Sequence, residues 1–212
     1  MKLIKKLQLA VDLSDLKSTL KLLQELGEYI DIIELGTPLI ISEGLSIVPI
    51  VKELYPKKIV FADLKIMDGG DMISELAFQK GADMISVLAA ANDSTIRAAV
   101  EKAKTYNKMI LVDMCAVKDI KARTEAVKIL NPDYICVHRA TDMQSGGEDP
   151  LAELKQIENI KIKKAVAGGI DLNNFRADAE SSAETIIVGS AIYQSNNPLE
   201  IAKKMKKILA EV

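Results

Sequence analysis

Within the segment Asp63-Leu64-Lys65-Ile66-Met67-Asp68, a lysine stands two residues after one carboxylate and three before another. An ammonium group held between acids can stabilise an oxyanion that forms beside it. Further acids close apolar runs elsewhere: Asp12, Glu34 and Asp113, with the single histidine, His138, in the same kind of position. Carboxylates brought together repel one another, and the remedies are a lysine among them, a divalent cation or a shared proton. Lys65 and a Mg2+ ion meet that need, since an all-oxygen ligand set favours a hard cation. Loss of a proton or of CO2 next to a carbonyl leaves the oxyanion that such a site could hold. His138 would serve as proton donor or acceptor near neutral pH. A plainer reading makes Asp63 and Lys65 a structural ion pair, Asp68 a helix cap and His138 a hydrogen-bonded core residue.

These residues need a scaffold that gathers strand ends. Short β-branched apolar runs recur at roughly 25-residue intervals, with amphipathic stretches between them. The runs Leu7–Asp12, Ile30–Leu35, Lys58–Asp63, Met84–Leu88, Met109–Asp113, Tyr134–His138, Lys164–Gly168 and Thr185–Gly189 are the expected strands. The expected helices are Leu16–Leu26, Glu43–Leu54, Met72–Lys80, Ser94–Thr105, Ile120–Ile129, Leu151–Ile157, Leu172–Ala177 and Leu199–Leu209. Strands apolar on both faces suit a parallel sheet covered by helices, and eight βα units suit a closed (β/α)8 TIM barrel, an α/β fold, occupying residues 1–212 as one domain. An open doubly wound sheet is the rival. It is disfavoured because no G-x-G-x-x-G follows the first strand and because polar strand ends recur around the whole repeat. A barrel opens its active site at the C-terminal ends of its strands, where Asp12, Glu34, Asp63, Lys65, Asp113 and His138 all fall. Asp63 and Lys65, two apart on an extended strand, would point the same way into that mouth.

Loops after the seventh and eighth strands commonly hold phosphate through backbone N–H groups. Gly168-Gly169 and Gly189-Ser190 occupy those places, with simple turn glycine as the alternative. Gly146-Gly147, after Asp142 and Gln144, marks a loop able to close over a substrate. A formal net charge of −2 with interspersed signs offers no face for nucleic acid and no arm for anionic lipid, so the expected partner is a small molecule. The first residues carry lysines without a long apolar stretch, and Cys115 and Cys136 lie in apolar runs outside any C-x-x-C pair. Both features imply no membrane and a cytoplasmic, reducing location.

The D-x-K-x-x-D motif, with Asp12 and Glu34 before it, resembles the orotidine 5'-monophosphate decarboxylase superfamily over nearly the whole chain. Ile33-Glu34-Leu35-Gly36-Thr37-Pro38, Ala62 to Asp68, Leu111-Val112-Asp113-Met114, Val137-His138 and Ala167-Gly168-Gly169-Ile170 are similar to 3-hexulose-6-phosphate synthases. The sister family is 3-keto-L-gulonate-6-phosphate decarboxylase. The resemblance implies Mg2+, an enediolate intermediate and a homodimer. It implies that Glu34 and Asp63 hold the metal, that Lys65 stabilises the enediolate oxygen and that Asp68 acts in the neighbour's site. The implied reaction joins D-ribulose 5-phosphate to formaldehyde, giving 3-hexulose 6-phosphate. His138, Asp113, Lys65 and Asp68 would act on the reacting atoms, while Asp12, Glu34, Arg139, Gly168, Gly169, Gly189 and Ser190 would hold the substrate.

Asp113-Met114-Cys115-Ala116 and Ser190 stand where the decarboxylase pattern has Glu-Leu-Thr/Tyr-Gly and an arginine. His138-Arg139-Ala140-Thr141 keeps only the first arginine of the decarboxylase His-Arg-x-Arg, yet Arg139 also departs from the usual synthase residue. The decarboxylase therefore stays as the alternative. A single histidine counts against pentulose-phosphate epimerases, which need two at their metal. A catalytically idle sugar-phosphate-binding barrel would be expected to have damaged ligands, whereas Glu34 and Asp63 are intact.

Overall fold

The computed structural model describes residues 4–146 and 150–212. Eight parallel strands close into a barrel in sequence order. They are β1 (Lys6–Val11), β2 (Ile32–Leu35), β3 (Ile59–Ile66), β4 (Met84–Leu88), β5 (Met109–Asp113), β6 (Tyr134–His138), β7 (Lys163–Ala167) and β8 (Thr185–Val188). The helices are α1 (Leu16–Leu26), α2 (Thr37–Glu43), α3 (Ile47–Leu54), α4 (Gly70–Gln79), α5 (Asp93–Tyr106), α6 (Ile120–Ile129), α7 (Pro150–Gln156), α8 (Phe175–Glu180), α9 (Ser190–Tyr193) and α10 (Pro198–Glu211).

Alternation along each strand divides the core in two. One set, including Leu9, Ile33, Val60, Ile85, Val112, Val137, Val166 and Ile186, packs outward under the helices. The other fills the barrel: Ile32, Phe61, Met84, Leu111, Tyr134, Cys136, Ala165, Ala167 and Ile187. Two residues further along five of the strands the inward side chain turns polar, giving Glu34, Asp63, Ser86, Asp113 and His138. The same period that builds the plug therefore delivers the polar ring above it.

The opposite, N-terminal rim repeats a different device. Asp31, Asp83 and Asp133, each just before or at the entry of an even-numbered strand, accept the N–H groups of Leu7, Val60 and Ile110 on the preceding strand at 2.8, 3.0 and 2.9 Å. Lysines complete two of these: Lys206 on Asp31 at 2.7 Å, and Lys52 and Lys108 on Asp83 at 2.5 and 2.7 Å. Burial pushes the Asp83 carboxyl up, but the lysines and the Val60 N–H outweigh it and hold it below its ordinary range. Tyr134 forms the floor, with Lys6 and Lys163 over its ring at 5.8 and 5.3 Å.

The expected helices Leu16–Leu26 and Ile120–Ile129 occur with those bounds. The helix expected over Glu43–Leu54 starts only at Ile47, after a 3₁₀ turn at Gly44–Ser46, and the segment before it forms α2. Pro38 sits in the first turn of α2, where its missing N–H costs nothing. The helix expected at Leu172–Ala177 is displaced to Phe175–Glu180, and α9 was not expected. Thr141–Gly146 forms a 3₁₀ turn, while Gly147 lies outside the described residues. Among the described residues no helix is long and apolar enough to cross a membrane.

Candidate active site

The polar ring centres on Lys65. Its Nζ lies 2.8 Å from Asp63 Oδ2 and 3.2 Å from Asp113 Oδ2, with both carboxylates nearly sealed from solvent. Burial disfavours the charged ammonium, but the two carboxylates override it and push the Lys65 pKa upward, so the group is held as a cation. Asp63 and Lys65 do meet, though not by simple strand alternation. Lys65 has φ +44, and the β3–β4 register shifts between Ala62 and Ile66. A bulge, with a backbone turn rare for a side-chain-bearing residue, brings the ammonium back over Asp63.

Asp113 carries a second partner. Its Oδ2 lies 2.8 Å from His138 Nδ1, and its Oδ1 accepts the Cys115 N–H at 2.9 Å. Burial raises the Asp113 carboxyl, but the hydrogen bond and charge of His138, with Lys65 behind them, bring it below its ordinary range. An ionised Asp113 only accepts, so Nδ1 carries the proton and Nε2 is left as the basic face of the ring. His138 is thus oriented by Asp113, not an isolated core histidine.

Glu34 lies buried beside Asp63. Loss of water and then the Asp63 charge push its carboxyl well above the ordinary range, opposed by a 2.7 Å hydrogen bond from Gln8 Nε2. Asp63 also accepts from Thr37 Oγ1 at 2.9 Å and from Ser86 Oγ at 2.6 Å. Asp12 stands at the rim, and desolvation of its carboxyl and the Asp63 charge raise it against the pull of Lys65 and His138. Gly36 makes room for it: a Cβ there would lie 2.0 Å from Asp12 Oδ1. Four acids, Asp12, Glu34, Asp63 and Asp113, therefore share one lysine and one histidine. That surplus of buried oxygen charge fits a divalent hard cation. Among the described residues no three acidic, histidine or cysteine side chains form a ready cage. Mg2+ commonly takes one or two carboxylates and draws its other ligands from water and substrate, so a pair such as Glu34 and Asp63 would be enough to hold it.

Gly168 and Gly169 have φ +103 and +70, and a Cβ on Gly168 would strike the Arg139 carbonyl at 2.3 Å. Glycine is required at Gly168 on both counts. Gly189 follows β8 and precedes α9, and Ser190 opens that helix, exposed. Arg139 Nε donates to the Met143 carbonyl at 3.0 Å, tying its guanidinium to the loop after β6. Asp68 is not brought to Lys65 within the chain: it is exposed, and its Oδ1 accepts the Gly69 N–H at 2.8 Å. Neither is it the N-cap of α4, which is Gly69. Gln8, Thr37 and Ser86 are not among the expected site residues, since Gln8 and Ser86 lie inside strands and Thr37 opens a helix. A polar residue inside an apolar strand was the available signal for Gln8 and Ser86.

A barrel with an acid-flanked lysine, an oriented histidine and glycine loops after β7 and β8 belongs to the class of enzymes that handle oxyanions of small molecules. The orotidine 5'-phosphate decarboxylase / HUMPS family matches residues 5–205, and the chain belongs to that family. It is 43% identical to 3-hexulose-6-phosphate synthase of Bacillus subtilis (strain 168), over 97% of this chain and 99% of that one. The Mycobacterium gastri protein of the same name is 40% identical over 97% of this chain and all (100%) of the relative. The 3-hexulose-6-phosphate synthase crystal structure from Salmonella typhimurium superposes with TM-score 0.93 at 37% identity, covering 97% of this chain and 99% of that one.

Proposed function

We propose that this enzyme condenses D-ribulose 5-phosphate with formaldehyde to 3-hexulose 6-phosphate, and runs the reverse cleavage, in a Mg2+-dependent reaction. The observation that carries the reading is the contact chain Asp63–Lys65–Asp113–His138, with links of 2.8, 3.2 and 2.8 Å. The names of the relatives support the choice of substrate.

His138 Nε2 removes a proton from C1 of the ketose phosphate. The C–H electron pair becomes the C1=C2 bond, and the carbonyl pair moves onto oxygen. Lys65, held cationic by its two carboxylates, sits beside that oxygen and stabilises the enediolate. Asp113 keeps His138 in the tautomer the step needs. The C2 oxyanion then returns to a carbonyl as the C1=C2 pair forms the bond from C1 to the formaldehyde carbon, whose C=O pair moves onto oxygen, and that alkoxide takes the proton His138 has held. Mg2+ on Glu34 and Asp63 would supply Lewis-acid charge for the developing oxyanion. The N–H groups around Gly168, Gly169, Gly189 and Ser190 would hold the phosphate, with Asp12 and Arg139 at the sugar end.

A homodimer with Asp68 reaching the neighbour's site belongs to the same reading. It is supported by the exposure of Asp68 among Met67, Met72 and Leu76, which are 53%, 64% and 50% exposed. Sedimentation checks it, with a monomer as the adverse result. The free thiols of Cys115 and Cys136 suit a cytoplasmic location. One observation favours a second reading, decarboxylation of 3-keto-L-gulonate 6-phosphate: Arg139 stands directly after His138. Purified protein with Mg2+ is to be assayed on ribulose 5-phosphate plus formaldehyde and, separately, on 3-keto-L-gulonate 6-phosphate. Faster turnover of the first pair is expected. Faster decarboxylation would reverse the assignment, and no turnover of either would leave a binding barrel.

A further inference from the structure

We propose that Ser86 is a positioning residue for Lys65, acting through a single hydroxyl that fixes both the lysine's backbone and its carboxylate partner. The inference rests on the reading of Lys65 as the group that holds the developing oxyanion. Between Ala62 and Ile66, β3 advances four residues while β4 advances only two, from Ile85 to Val87. Ser86 is the β4 residue opposite that excess, and it is fully buried. A strand bulged in this way loses its regular ladder, so the Lys65 N–H needs another acceptor. Ser86 Oγ takes that N–H at 2.8 Å, and its own O–H donates to Asp63 Oδ1 at 2.6 Å. Its single donor is thus used, together with one of its two acceptor lone pairs.

The arrangement explains how Lys65 keeps φ +44. Such a conformation persists only when its surroundings over-determine it. Removing the hydroxyl leaves a buried N–H without its acceptor and frees Asp63 Oδ1, whereas Thr37 still holds Asp63 Oδ2. The loss therefore falls chiefly on where the Lys65 stem begins. A long, flexible side chain launched from a shifted backbone no longer centres its ammonium between Asp63 and Asp113. The described hydrogen bonds of Ser86 run to Lys65 and Asp63, not to the loops after β7 and β8, so substrate binding should survive.

Ser86→Ala and Ser86→Thr are to be compared with the unaltered enzyme in Mg2+. Thermal unfolding of both variants checks that the fold is kept. Ser86→Ala is expected to lower kcat about 100-fold while KM for ribulose 5-phosphate moves less than about threefold, and Ser86→Thr to regain most of the loss. The second readout needs no turnover: amide hydrogen exchange at Lys65, followed by NMR on 15N-labelled protein. It should quicken about tenfold in Ser86→Ala and return toward the original rate in Ser86→Thr. Unchanged exchange at Lys65 in a folded Ser86→Ala protein overturns the proposal, as does an unchanged kcat in an active enzyme. If the unaltered enzyme turns over neither sugar phosphate, the functional reading fails while the exchange measurement still decides the role of Ser86.

Discussion

The two rims of this barrel use the same residue type to opposite ends. At the N-terminal rim each aspartate is matched: Asp31 and Asp83 have lysines as well as a backbone N–H, and Asp133 has the Ile110 N–H. At the C-terminal rim four acids crowd around a single ammonium, and two of them, Glu34 and Asp12, are pushed up in pKa by burial and by their neighbours. The first pattern ties strand to strand. The second packs acids around one ammonium, at a cost the rest of the barrel must bear.

The largest effect that could break this contrast is at Lys65. Lys65→Ala is expected to reduce kcat by about 10³-fold or more, because the oxyanion loses its fixed cation, while circular dichroism and gel filtration remain those of the folded protein. Retained activity would take Lys65 out of the mechanism. Asp113→Asn should cost about 10²- to 10⁴-fold in kcat with little change in KM, since an amide no longer fixes the His138 proton on Nδ1. An activity near that of the unaltered enzyme would mean that the ring needs no such partner.

At the other rim the expected effect is on stability alone. Asp83→Ala removes an acceptor of two lysines and of the Val60 N–H, and should cost about 2 kcal/mol, or several degrees in Tm. The kcat of the folded fraction should not move. A loss of kcat with Tm unchanged would erase the distinction between the rims.

Acid titration sharpens the comparison with the smallest signal. The folded Asp83 carboxyl lies below its ordinary 3.8, so its contribution is present above that value and is lost as pH falls through the lower folded one. Glu34 has the reverse sign: its folded carboxyl lies well above 4.5, so stability declines as pH climbs from 4.5 toward the folded value. Urea midpoints measured from pH 3 to 8 should show Asp83→Asn flattening the acid-side loss. Without added metal, Glu34→Gln should unfold later than the unaltered protein near neutral pH. Parallel curves for both variants would contradict the assignment of opposite roles.

Much of this was legible in the sequence because barrel geometry follows from period and spacing. Apolar runs ending in Asp12, Glu34, Asp63, Asp113 and His138 defined the strands, and the closed fold gathers their ends. What could not be read was local. Nothing in Leu64-Lys65-Ile66 announces a left-handed backbone at a lysine, so the bulge that aims the ammonium was invisible. The helix at Thr37–Glu43 lies ahead of the one expected from Glu43, and a proline in its first turn was the available sign of a start there. Ser86 and Gln8 lie inside strands, where a polar residue is easily passed over as a stray. Asp68, matched by motif, accepts only its neighbour's Gly69 N–H among the described hydrogen bonds, so the motif alone does not reveal its role.

The most direct test is the fate of the C1 protons of ribulose 5-phosphate in D2O, followed by proton NMR with enzyme and Mg2+ but without formaldehyde. An oriented His138 beside a lysine-held oxyanion predicts wash-out of one C1 proton into solvent, abolished in Lys65→Ala and in His138→Gln. Retention of both C1 protons by an enzyme that binds the sugar phosphate would contradict the account.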